Sequence, residues 1–299
     1  MTAFLALITA VLWVQPVQAR TVVDELGRKV EVPGYPERIV ALAPSLTECV
    51  FALGQGDRVV GVTRFSDHPP QAQSLPRVGS YVNLDLERIV GLQPDLCLAT
   101  KDGNPIRVIR QLEGLGVSVY ALDPRDLEAV MQTLTKLGWM LQCEQEASEV
   151  VAGMEKDIEA VKERAQAVGT RPRVFFQIGI SPIVSVGSNT FVHELITLAG
   201  GVNLAAGVKD YPRYSLEEVL VQDPDIIVIN SMTKDDALLQ ETMAMWKQYP
   251  QIRAVKHSRV FTVNSDVFNR ASPRLVDGLR ILADLLLGPV KATRTSWDE

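Results

Sequence analysis

Histidine, cysteine and aromatic residues are scarce in this chain, and each scarcity removes a class of function. Three histidines (His68, His193, His257) and three cysteines (Cys49, Cys97, Cys143) occur in 299 residues, and no spacing among them suits zinc. His193-Glu194 opens a zinc-protease pattern, but Thr197 stands where the second histidine is required, so an ordinary helical pair is expected. Neither a Gly-Lys-Ser/Thr run nor a Gly-x-Ser-x-Gly elbow is present. Gly54, Gly56 and Gly61 follow a helical pattern instead of a strand, which suits a helix end and a turn better than a phosphate loop. Basic residues are the minority, 30 against 36 acidic, and the net charge of −6 argues against a nucleic-acid partner. The local basic pair Arg171 and Arg173 reads as a solvated strand entry. An odd cysteine count predicts no disulfide, with Cys49 and Cys97 as small buried hydrophobes, although a pairing through Cys49 or Cys143 stays open.

A membrane-spanning run is also missing. Ala3 to Val14 is apolar for only about twelve residues and is followed by the small-residue ending Val17-Gln18-Ala19. That pattern predicts a secretory signal peptide over residues 1–19, even though a basic segment ahead of the apolar run is lacking. No cysteine follows the cleavage site, so a protein free in the periplasm and without a lipid anchor is expected.

What the chain does have is a normal soluble balance, 46% hydrophobic and 22% charged, and one unusually long helical pattern. From Glu144 to Val168 there is no proline, and Val150, Met154, Ile158, Val161, Ala165 and Val168 recur at steps of three and four. At ~1.5 Å per residue such a helix is a rod of roughly 37 Å. Strand and helix patterns alternate on both sides of it. The predicted fold is α/β, two Rossmann-like lobes joined by this single interdomain helix, with a first lobe over 20–143 and a second over 169–299. One continuous helix without flexible linking strands predicts only a small lobe rotation on binding. Before the helix the reading gives a hairpin over Thr21–Val32 and a strand over Arg38–Leu42, then a helix opened by a capping box at Ser45-Leu46-Thr47-Glu48.

An internal repeat sharpens this picture. Asp85-Leu86-Glu87-Arg88-Ile89-Val90-Gly91-Leu92-Gln93-Pro94-Asp95-Leu96 aligns without gaps on Ser215-Leu216-Glu217-Glu218-Val219-Leu220-Val221-Gln222-Asp223-Pro224-Asp225-Ile226. Each copy reads as an N-cap, a short helix, Pro-Asp and a buried strand, and the same alignment carries Tyr81 onto Tyr211. Phe65, Tyr81 and Tyr211 fall on loops where a flat ligand could stack, and Asp266 and Arg270 follow the last strand, where α/β sheets expose binding groups.

The runs Ser66-Asp67-His68-Pro69-Pro70-Gln71-Ala72, Leu86 to Leu96 and Arg270-Ala271-Ser272-Pro273-Arg274 resemble the cobalamin-binding periplasmic proteins of vitamin importers, within the helical-backbone class of ABC-transporter binding proteins. The similarity extends over nearly all of Arg38 to Leu287. It implies a corrinoid carried between the lobes as transported ligand, with no catalysis, metal site or resident cofactor, and delivery to a membrane permease by a monomer. Position by position it implies that Phe65, Tyr81 and Tyr211 are stacking aromatics, that Asp266 and Arg270 are polar ligand contacts, and that Glu87 and Glu217 engage the permease. The chain departs from the family's best-known member. Tyr81, Tyr211 and Thr100 stand at tryptophan positions, Ile178 and Val184 at phenylalanine positions, and Ala199 and Ala283 where its disulfide is implied. A sibling reading is a ferric-siderophore or haem carrier, with Arg64, Arg213 and Arg270 for an anionic chelate or Tyr81 and Tyr211 for haem iron. The rival from another class is a two-lobed α/β hydrolase or chelatase, for which Asp266 with His68 is the pair to examine.

Overall fold

Aspartates of the internal repeat fasten each lobe's central strand. In the computed structural model, which describes residues 19–230 and 236–288, the Asp95 carboxylate accepts the backbone N–H groups of Glu37 and Arg38 at 2.8 and 3.1 Å, and Asp225 accepts that of Arg173 at 2.8 Å. Asp95 and Asp225 also donate their own N–H to the carbonyls of Arg38 and Arg173. Gln93 and Asp223, aligned in the repeat, both adopt left-handed φ, +49° and +43°, so the turn before each Pro-Asp is the same turn.

The first lobe runs through strands β1 (Arg20–Val23), β2 (Lys29–Val32) and β3 (Ile39–Ala41), helix α1 (Pro44–Ala52), β4 (Val59–Val62), α2 (Leu86–Gly91), β5 (Leu96–Thr100), α3 (Ile106–Gly114), β6 (Val119–Leu122) and α4 (Leu127–Leu141). Its sheet is parallel throughout, in the order β4-β3-β5-β6, and the antiparallel β1–β2 hairpin is tied beside β6 by Glu25 N–H to Ala121 O and Ser118 Oγ to Glu31 O. Helix α5 (Glu144–Val168) then leads to the second lobe, made of β7 (Arg173–Gly179), β8 (Ile183–Ser185), α6 (Phe191–Leu198), β9 (Val202–Asn203), β10 (Arg213–Tyr214), α7 (Leu216–Gln222), β11 (Ile226–Asn230), α8 (Asp236–Lys247), α9 (Arg253–Lys256), β12 (Val260–Val263), α10 (Asp266–Asn269) and α11 (Leu275–Leu287).

The second lobe departs from a plain copy of the first. β7, β11 and β12 are parallel, but β8 runs antiparallel to β7 and β10 pairs antiparallel with β8, giving the order β10-β8-β7-β11-β12 with β9 beside β7. The short turn Ser181-Pro182 is the reason, because a reversal of so few residues can join only antiparallel strands. Helix α5 has the predicted bounds, but its buried stripe is Ala147, Met154, Ile158 and Val161; Val168 is 43% exposed, because Gly169 at φ +69° turns the chain away at the next position.

The expected capping box at Ser45 to Glu48 does not form. Pro44 already occupies the first turn of α1, Ala43 is the N-cap, and no side chain caps it. Glu48 is directed elsewhere. At α7 the box is complete, with Ser215 and Glu218 each bonding the other's backbone.

One apolar core runs through both lobes. Leu46 and Val50 of α1, Leu134 and Leu137 of α4, Met154 and Ile158 of α5, Leu195 of α6 and Leu279 of α11 all belong to it, while smaller clusters fill the outer face of each sheet. All three thiols are free and buried, as small hydrophobes of this interior. The expected export signal lies, but for Ala19, outside the described residues; among those described, no helix is long and apolar enough to cross a membrane.

Replacing Asp95 or Asp225 by alanine is expected to lower stability by about 1 kcal/mol each, because the exposed or half-buried strand-entry N–H groups lose an acceptor that water only partly replaces. Urea unfolding followed by circular dichroism measures it, and both variants are expected to shift in the same direction.

Candidate functional site

The loops after β4, β5 and β12 and the loop before β10 meet at the edge of the sheets where parallel strands end, the position at which α/β proteins place ligands. Phe65, Tyr81 and Tyr211 sit there on loops whose conformations are fixed from below. The Phe65 loop is held by a buried hydroxyl chain, Thr47 Oγ1 to Ser66 Oγ at 3.0 Å and Ser66 Oγ to Thr63 Oγ1 at 2.9 Å, and by Arg77, which donates to the carbonyls of Thr63 and Ser66. Held in this way, the Phe65 ring is 53% exposed. Asn104, itself buried, donates to Leu42 O and Tyr81 O at 2.9 and 2.7 Å and accepts from Thr100 N, so it ties the Tyr81 loop to the ends of β3 and β5. Gly79 makes that loop possible, since at φ +97° a Cβ would lie 2.3 Å from Asn83 O.

Tyr211 has a parallel support built from other parts. Gly187 donates to Asp210 O, Ser185 to Pro212 O and Asp210 to Ser188 O, which zips the loop to the end of β8. A Cβ on Gly187 would lie 2.0 Å from Val208 O and separate the two segments. Tyr211 is 61% exposed; partial desolvation of its phenol, then Asp210 and Asp102, push its pKa up. Asp102 belongs to the first lobe, as does its neighbour Gly103, where a Cβ would approach the Tyr81 ring to 3.0 Å. The Asp102-Gly103 turn therefore lies against Tyr81 and within electrostatic reach of Tyr211.

At the cleft floor Arg270 joins the lobes. Its Nη1 donates to Glu48 Oε1 at 2.7 Å, and its Nη2 to Asp67 Oδ1 and Asp266 Oδ1, both at 2.9 Å, and to Phe65 O at 3.1 Å. Glu48, with a side chain only 2% exposed, also accepts from Arg274 Nη1 at 3.2 Å and Ser272 Oγ at 2.5 Å. Sequence reasoning reached Asp266 and Arg270 but missed Glu48, whose place in a run resembling a capping box concealed it. His68, beside this cluster, has a lowered pKa from burial, then from Arg274 and Arg270 outweighing Glu48 and Asp67. It is thus set in a network of ion pairs that also binds Asp266, not in an isolated acid–base couple. A second junction is smaller: Glu194 of α6 accepts the first N–H of α4, from Leu127, at 3.0 Å. His193 bonds Asn203, so the His193-Glu194 pair is structural, as expected.

Glu87 and Glu217 lie apart from the cleft floor. Each is exposed in the first turn of its helix, α2 or α7, with the N-cap work done by Asp85 and by Ser215 with Glu218. Asp85 N–H bonds Val78 O, which starts α2 at the cleft edge. Two open depressions of about 330 and 400 Å³, both lined in part by Arg171, lie at the opposite edge, where parallel strands begin. Among the described residues no cluster of three His, Cys, Asp or Glu side chains could hold a metal ion.

Two lobes joined by a single bridging helix, with loops of both meeting at a cleft, are the architecture of a solute-binding protein of the kind that serves importers. The chain belongs to the periplasmic binding protein family, whose model matches residues 39–267. It is 32% identical over 242 residues to the vitamin B12-binding protein of Photorhabdus laumondii subsp. laumondii, covering 81% of this chain and 84% of that one. The vitamin B12-binding protein of Yersinia pestis is also 32% identical, with 80% and 82% covered. Among solved structures it is similar to the periplasmic vitamin B12 binding protein BtuF of Vibrio cholerae (30% identity, TM-score 0.73, 84% of this chain and 96% of that one). It is similar also to a periplasmic heme binding protein from Pseudomonas aeruginosa (30%, TM-score 0.79, 87% and 96%).

The depressed pKa of His68 has a direct consequence. An unfolded histidine near 6.5 binds a proton that the folded one refuses, so stability is full above that value and falls as pH drops from 6.5 towards the lower folded pKa, then levels. His68→Gln is expected to flatten this part of the pH–stability curve, as read from urea unfolding between neutral and mildly acidic pH.

Proposed function

We propose that the chain captures a corrinoid, cobalamin or cobinamide, in the cleft between its lobes and delivers it to the permease of an ABC importer. The observation that carries this reading is the pair Tyr81 and Tyr211, equivalent in the repeat and held by separate supports on either side of the Asp102-Gly103 turn. Phe65 adds a third exposed ring beside Arg270. The names of the curated relatives agree with this ligand class. The polar contacts of the ligand would be Asp266 and Arg270, and no resident cofactor is required.

Haem is the second reading, favoured by the similarity to the Pseudomonas aeruginosa protein and by two phenols at the cleft. Charge weighs against it. Arg270 is already shared among three carboxylates and is not left to pair with propionates, and the raised pKa of Tyr211 opposes a phenolate ligand to iron. The neutral side-chain amides of a corrin meet no such penalty.

Docking is assigned to Glu87 and Glu217. One exposed carboxylate on the leading turn of a helix in each lobe suits two basic patches on a pseudo-symmetric permease, and such pairs govern register and encounter more than bulk affinity. The working protein is read as a monomer free in the periplasm after cleavage at Ala19.

Tyr81→Ala or Tyr211→Ala is expected to weaken cobinamide binding about tenfold or more, since an aromatic contact contributes ~0.5–1.5 kcal/mol beyond its buried area. Calorimetry that returns wild-type affinity for both variants rules the pocket out. Glu87→Ala combined with Glu217→Ala is expected to leave that titration unchanged while slowing transport in reconstituted vesicles, most at low salt; wild-type transport by the double variant removes the docking assignment.

A further inference from the structure

Glu48 is the most deeply buried carboxylate at the lobe junction, and all three of its side-chain partners come from one short strip of the other lobe. Arg270, Ser272 and Arg274 converge on its two oxygens, while Cys49, the next residue of α1, directs its sulfur at Ala271 O, 3.8 Å away. Arg270 reaches back across the junction, to Asp67 and Phe65 O of the first lobe as well as to Asp266 of its own. We infer that Glu48 is a positioning residue for ligand binding: it holds the lobes at one aperture and aims the Arg270 guanidinium before any ligand arrives.

The physical argument runs through burial. Separating the lobes at this point would leave a carboxylate with a side chain 2% exposed without its arginine and serine partners, and a guanidinium 10% exposed with Asp266 of its own lobe in place of three carboxylates. A desolvated charge so stranded is far costlier than the pair is stabilising. Arg270 and Arg274 both donate to Oε1 of Glu48 and Ser272 donates to Oε2, so both oxygens are held by the second lobe and a tilt that opens the junction lengthens bonds to each. Apolar side chains of the same volume would supply equal cohesion, because buried ion clusters seldom add net stability; what the cluster adds is direction. Arginine is required for this, since its fork meets Glu48, Asp67 and Phe65 O from one rigid plane, which an ammonium cannot do. The cleft is thereby pre-organised, and a ligand need not provide the energy of closing it.

The affinity part of the test rests on the cleft being the ligand site; the distance part does not. Spin labels on Asn83→Cys and Lys209→Cys, exposed positions near Tyr81 and Tyr211, report the lobe separation, while the native thiols are buried. Pulsed dipolar spectroscopy of the otherwise wild-type protein is expected to give one narrow distance, unchanged by saturating cobinamide. Glu48→Gln, which keeps size but removes charge, is expected to broaden the ligand-free distribution, and cobinamide to narrow it again. Its affinity should fall by the fraction of molecules left at the native aperture, about tenfold if one in ten remains. That proportionality is the sign of positioning; a residue serving stability alone lowers the melting temperature and leaves distance and affinity untouched, which overturns the inference. If Glu48→Gln does not fold, Arg270→Lys decides by the same distance measurement, with a wild-type distribution again overturning it. Should the wild-type protein bind no cobinamide, the ligand reading fails while the ligand-free distances still settle the role of Glu48.

Discussion

The apolar core shared by α1, α4, α5, α6 and α11 is the constraint on which the rest of the molecule depends. Each fully buried leucine or phenylalanine in it contributes ~1.5–3 kcal/mol, whereas an exposed ion pair contributes ~0–1 kcal/mol. The lobes therefore adhere through side chains such as Leu46, Met154 and Leu279, and the polar groups above them serve geometry instead of cohesion. With that core continuous beneath the cleft, the loops bearing Phe65, Tyr81 and Tyr211 rise from one foundation.

Duplication explains the symmetry of the cleft, and the places where it fails explain the asymmetry. Asp95 and Asp225 tie equivalent strands in equivalent ways, and α2 and α7 carry equivalent carboxylates. The supports of the two tyrosines are not copies. Tyr81 hangs from Asn104, whereas Tyr211 is zipped to the antiparallel β8, which has no counterpart in the first lobe.

Local periodicity made most of the fold legible. Helix α5 occupies the range that its apolar spacing predicts, and each copy of the repeat forms its short helix, Pro-Asp turn and buried strand, because burial on one face is what both periodicity and packing record. The short elements α9, α10, β9 and β10 escaped, since they are held by long-range partners such as Asp223 on Arg253 and carry too few residues for a period. Glu48 shows the deeper limit. Serine followed three residues later by glutamate satisfied a local rule, yet a proline one residue earlier had already set the helix start, and the carboxylate's partners lie more than two hundred residues away. No feature within a window of α1 announces them. Exposed aromatics and the repeated glutamates could be marked from sequence, because the repeat and the family resemblance both pointed to them; how Arg270 is shared among three carboxylates required coordinates.

Whether this cleft is made for a corrinoid is decided most directly by titrating one preparation of the protein with cobalamin, cobinamide, haem and a ferric siderophore, followed by calorimetry and visible absorption. The account predicts saturation by cobalamin or cobinamide at one per chain, with haem and siderophore binding weakly or failing to displace it. Tight one-to-one binding of haem, with a shifted Soret band and no response to either corrinoid, would contradict it.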